Sequence, residues 1–143
     1  MTTIVTRAGK GSPLTHTELD ANFTNLNSAK KEVTGYVSGD GGTIGQLTSK
    51  STSVTLNKAC GQITLNGAAL AASTTVSFTL TNSTIAATDL LVLNHVSGGT
   101  AGAYTLNAQA AAGSASINVR NVTAGSLSEA IVIGFAVIKA VTT

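Results

Sequence analysis

Between Val54 and Val141 the chain keeps returning to one pattern: an apolar residue alternating with Ser or Thr over a few positions, then a turn signal. A period of two belongs to a strand that buries one face, so this pattern restricts the chain to β structure more than any other feature does. Thr75-Val-Ser-Phe-Thr-Leu-Thr81 carries it most clearly, and Val54/Leu56, Ile63/Leu65, Tyr104/Leu106/Ala108 and Ala115/Ile117/Val119 repeat it. Two runs differ. Leu90 to Val96 is apolar almost throughout, the grammar of a strand buried on both faces, and Ala130 to Val141 is a long apolar strand with Gly134 as a point of bending. Turn residues at Lys58–Gly61, Asn66-Gly67, Ser97–Gly99, Gly113-Ser114 and Ala124–Ser126 separate the runs, and Gly67–Ser73 reads as a short helix or a crossover loop. Seven or so short strands spaced this way predict a mainly β fold, a β-sandwich or jelly roll.

Composition fits such a domain and excludes several functions. The 143 residues suit one domain with a short appendage. Charged residues are 10% of the chain, against ~25% in ordinary domains. Their place is taken by 23 Thr, 14 Ser, 10 Asn and 21 Ala. Hydrophobic content of 43% argues against disorder, and a net charge of +2 lacks the basic footprint of a nucleic-acid binder. The opening residues hold no secretory h-region, and the run Ala130–Ile138 is far short of the ~20 residues of a membrane span, so no membrane partner is expected. Lone Cys60 excludes an internal disulfide and a cysteine metal cluster, which suits assembly in a reducing cytoplasm. So bare a surface is easier to explain if other copies cover it. With the apolar closing strand, it predicts a homo-oligomer, a trimer by preference.

Charge divides the chain in two. Residues 1–40 hold eight of the fourteen charges, and Ser38-Gly-Asp-Gly-Gly42 reads as a flexible linker. This gives an arm over 1–40 and a sandwich body over 41–143. In the arm, Thr2–Ser12 reads as extended and a helix is predicted over about 15–34. Thr15 and Glu18 match a capping box, with Leu14 and Leu19 placed as a hydrophobic staple. Leu19, Phe23, Leu26, Lys30 and Val33 follow a 4-3-4-3 spacing on one stripe. A helix this short needs a surface for that stripe. Its own core is the ordinary answer and a partner the sharper one, which makes Leu14, Leu19, Phe23 and Leu26 the candidate attachment residues.

Chemistry finds little purchase. Six carboxylates are scattered, His16 and His95 lie in different segments, and no Gly-x-Ser-x-Gly elbow or phosphate loop is present. The expectation is no enzyme, no cofactor and no metal.

The stretch Thr6-Arg-Ala-Gly-Lys-Gly-Ser-Pro-Leu-Thr-His-Thr-Glu-Leu-Asp-Ala-Asn-Phe-Thr-Asn-Leu-Asn27 resembles the N-terminal segment of tailed-bacteriophage virion proteins, often tail-fibre-like. Their pattern is Lys-Gly-x-Pro-Leu-Thr followed by Glu-Asp-x-Asn-Phe-x-x-Leu; many have an aromatic where His16 stands. The body, Ser49–Lys139, is similar to small β domains of phage structural proteins. The resemblance implies an attachment arm on a trimeric virion protein whose partner is a major capsid or tail protein. With no shaft or repeat in the chain, a capsid cement or decoration protein is the first expectation. A short tail-fibre or baseplate component is the alternative. A carbohydrate-binding β-sandwich module is a further one, though five aromatics and no Trp offer few stacking platforms.

Overall fold

A computed structural model describes residues 5–29 and 36–140. The chain forms two units, Met1–Gly35 and Tyr36–Thr143.

The second unit is mainly β and β-sandwich-like. Its strands are β1 (Thr43–Gly45), β2 (Val54–Thr55), β3 (Cys60–Thr64), β4 (Thr75–Thr81), β5 (Leu90–Ser97), β6 (Tyr104–Ala111), β7 (Ser114–Asn121) and β8 (Val132–Ile138). They make two four-stranded sheets, ordered β1-β3-β8-β5 and β2-β4-β7-β6. β1 pairs with β3 and β2 with β4 in parallel, while the other pairs are antiparallel. The alternation in sequence explains the core. Phe78, Leu80, Ala115, Ile117 and Val119 point inward from one sheet, and Ile63, Ile133, Phe135 and Val137 from the other, all buried.

Several expectations are corrected. Gly61 lies inside β3 instead of at a turn, because the carbonyl of Gly42 passes so close that a Cβ there would sit 2.6 Å from its oxygen. Of the two forms expected for Gly67–Ser73, the loop is the one present, held by a bridge between Leu70 and Leu127. The run 38–42 is folded onto the body and is not a free linker: the Val37 amide donates to Asp40 Oδ2 (3.0 Å), Lys58 Nζ to the Gly39 carbonyl (2.9 Å), and the Tyr36 hydroxyl to the Val137 carbonyl. Leu90–Val96 is a strand, but an edge one.

Buried polar groups close the ends of the strands. Asn82, just after β4, and Asn121, the last residue of β7, are fully buried. Each carboxamide oxygen accepts from the amide and hydroxyl of the Thr two residues on, at 3.0 and 2.8 Å for Thr84 and 2.9 and 2.8 Å for Thr123. Their amide nitrogens donate to loop carbonyls at Lys58 and at Leu70, Ala71 and Gly125. Lys50 is also buried. Its ammonium donates to the carbonyls of Asn66 and Glu129, and burial pushes its pKa down. These pairings remove what would otherwise be costly orphaned carbonyls.

Candidate attachment helix

The first unit is built around α2, His16–Ala29. The capping box forms as its residue types require: the Thr15 amide donates to Glu18 Oε2 (2.8 Å) and the Glu18 amide to Thr15 Oγ1 (3.2 Å). Lys10 also pairs with Glu18. That ammonium and then the Thr15 amide hold the Glu18 carboxyl at about 2, against 4.5 ordinarily.

Lys10 comes from a helical turn, α1 (Arg7–Lys10), where extended chain is expected. Thr6 caps the turn by accepting from the Gly9 amide (3.1 Å), and Gly11 ends it in the left-handed conformation at φ 73°. Before it, Asn22 holds Val5 by both polar groups, accepting from its amide (2.9 Å) and donating to its carbonyl (2.7 Å). The segment ahead of the helix is therefore tied to it at two places, through Lys10 and Asn22. Sequence reading missed both residues; the pairing partners are eight and seventeen positions apart, beyond any local motif.

Leu14 is half-buried, Leu19 is 39% exposed and Phe23 is 69% exposed. The side chain of Leu26 lies outside the described residues, as do Lys30, Val33 and the expected helix beyond Ala29. The cap is thus well made while the aromatic on the stripe faces solvent. Chemically such a surface can bury apolar area against a partner and little else.

The body offers one further concentration of functional groups. Glu129 accepts from the Thr100 amide (3.0 Å), the Thr100 hydroxyl (2.7 Å) and the Tyr104 hydroxyl (2.8 Å). These bonds, with Thr100 foremost, hold its carboxyl below the ordinary range, while burial foremost raises the Tyr104 phenol. His95 Nε2 lies 2.7 Å from the Gly98 carbonyl and its ring meets Tyr104 edge-on. A shallow hollow of about 170 Å³ lies beside it, lined by His95, Val96, Ser97, Gly98, Gly99 and Ala101. The Glu129 carboxylate thus braces the 98–102 loop and Tyr104 against each other. Cys60 is half-buried on β3. Among the described residues no three of His, Cys, Asp or Glu gather as a metal site, and no helix is long and apolar enough to cross a membrane.

Compared with known protein families, curated proteins and solved structures, the chain shows no match to any.

Proposed function

We propose that this chain is a non-enzymatic structural protein of a tailed-bacteriophage virion, a capsid cement or decoration protein that binds the head as a homotrimer through its N-terminal unit. The observation that carries the reading is Phe23, two-thirds exposed on a helix with a complete N-terminal capping box in a unit of its own. A helix that invests a capping box and two tethers in presenting an unburied aromatic is prepared for a partner. The motif around it, Gly11-Ser-Pro-Leu-Thr15 and Asp20-Ala-Asn-Phe23, is the part similar to phage virion proteins.

Burying a Phe side chain is worth ~1.5–3 kcal/mol. Phe23→Ala should weaken docking tens-fold per subunit, and three-fold avidity would amplify the loss. The assay measures binding of the full chain to phage heads and tails that lack it, beside a melting curve. Loss of head binding with the melting midpoint of the body unchanged is the expected result. Melting that collapses while binding per folded molecule stays constant would place Phe23 in a core and end the attachment reading. Binding to tails alone would replace the decoration role by a tail component.

A further inference from the structure

Four strands form the edges of the two sheets, and three of them are guarded. β1 and β2 are three and two residues long, and β6 turns Thr105, Asn107 and Gln109 to solvent. Short or polar edges resist pairing with other chains. β5 has neither protection. It is eight residues long, Leu-Leu-Val-Leu-Asn-His-Val-Ser, with no charged residue and no Pro. Among the described residues only β8 pairs with it, so its other edge is open.

The strand is mostly apolar on both faces, with Asn94 exposed on the outer one and His95 half-buried on the inner one. Outward, Leu90, Val92 and Val96 are 61%, 52% and 44% exposed, and Ile138 of β8, paired with Leu90, is 50% exposed. Gly134 clears the space for Val96, since a Cβ there would lie 3.0 Å from its Cγ2. Inward, Leu91 and Leu93 stay half-covered, because the facing edge strand β6 offers them only Leu106, Ala108 and Ala110.

We propose that β5 is the contact between copies of this chain, lying between two neighbours in a cyclic homo-oligomer. The proposal rests on the homo-oligomer in the reading above and adds the surface that makes it. Three observations select a second copy as the occupant. The β strands of this sheet carry no charged side chain, so the face meets itself without repulsion. Its outer apolar area is too small to act alone: β5 and β8 side by side present roughly 240 Å², under half of the ~800 Å² per partner in a stable interface. Further apolar area lies on the inner side of the same strand, where Leu91 and Leu93 are half-buried at the margin of the core. A two-fold contact covers one such side, whereas each member of a ring meets two neighbours through two different surfaces.

The test is the solution mass of the full chain at micromolar concentration, by light scattering or sedimentation, for the unmodified protein, Val92→Lys and Thr79→Lys. Thr79 is exposed on the outer face of the other sheet. The unmodified chain and Thr79→Lys should form the oligomer. Val92→Lys should run at 14.2 kDa, because an unpaired buried charge weakens association on the order of 100-fold or more. An unmodified chain that is monomeric would overturn the homo-oligomer itself. An oligomer that survives Val92→Lys, or that Thr79→Lys disrupts equally, would overturn only the assignment to β5. If Val92→Lys does not fold, amide exchange in the unmodified protein decides. The free-edge amides of β5 should exchange more slowly than those of β6, and equally fast exchange at both edges would overturn the proposal.

Discussion

On the sheet ordered β2-β4-β7-β6, the side chains facing solvent are Thr75, Ser77 and Thr79 of β4, Ser116, Asn118 and Arg120 of β7, and Thr105, Asn107 and Gln109 of β6. On the sheet ordered β1-β3-β8-β5, the β8 and β5 half holds Leu90, Val92, Val132, Ala136 and Ile138 in the corresponding places, with Asn94 among them, while β1 and β3 turn Thr43, Gln62 and Thr64 outward. The polar face also satisfies itself. The Ser77 hydroxyl donates to Asn118 Oδ1 (2.5 Å), and Asn118 Nδ2 donates to Asn107 Oδ1 (2.6 Å), a ladder across three strands in register. The inner faces show no such contrast, since Leu80 and Ile117 are as buried as Ile63 and Ile133. Core burial is what the hydrophobic effect demands of a sandwich, and both sheets meet it equally. The outward Leu, Val and Ile of one sheet therefore lie outside the core that both sheets share, and the contact between copies proposed above is the role we assign them.

The largest effect should come from testing the equality of the inner faces. Leu80→Ala and Ile133→Ala, one from each sheet, should each cost ~2–5 kcal/mol in denaturant unfolding at a fixed protein concentration. A large cost for one and a negligible cost for the other would mean that the sheets share the core unequally. A smaller effect tests the polar face: Ser77→Ala removes the first rung of the ladder and should cost ~0.5–1.5 kcal/mol, with solution mass unchanged. No loss of stability would show the ladder to be mere solvation.

The smallest effect is one of pH. Asp89, just before β5, accepts from the Ala86 amide (2.7 Å), pairs with Lys139 beyond β8, and is reached by the Ala140 amide. The Ala86 amide first, then Lys139, lowers its pKa from 3.8. A carboxyl lowered on folding contributes stability that is complete above its unfolded value and disappears as pH falls through the folded one. Acid below pH 3.8 should thus loosen this end of the apolar sheet, while the strands of the polar sheet contain no carboxylate to respond. Amide resonances of Ala86 and Ala140 should shift together with a midpoint below 3.8, and that of Ser116 should stay still. A midpoint at or above 3.8 would contradict the hydrogen-bonding account.

Much of the sandwich was legible because β4 and β7 state their buried face in every second residue. The cap at Thr15 and Glu18 was legible because it is a local contract between residues three apart. β2 was legible in the Val54/Leu56 alternation, but β1 was not, since three residues are too few to show a period. Nor was Gly61, where the reason for glycine is a backbone nineteen positions earlier in the chain. Lys50 gives no sign of burial either, because its two carbonyl partners come from distant loops. In β5 the sequence described the strand's environment and not its position. A run apolar on both faces fits the centre of a sheet, and the single chain places it at the rim.

The position of β8 bears on how the chain comes together in time. It is last of the eight strands in sequence order, yet it sits between β3 and β5. During synthesis β4, β6 and β7 can pair soon after they emerge, whereas β5 has no partner strand until Val132–Ile138 follows. Cys60 must meet Ala136 across most of the body, and closing so long a loop is slow. The polar sheet is thus the one that can form early, while apolar β5 waits for the last strand of the chain to cover its edge.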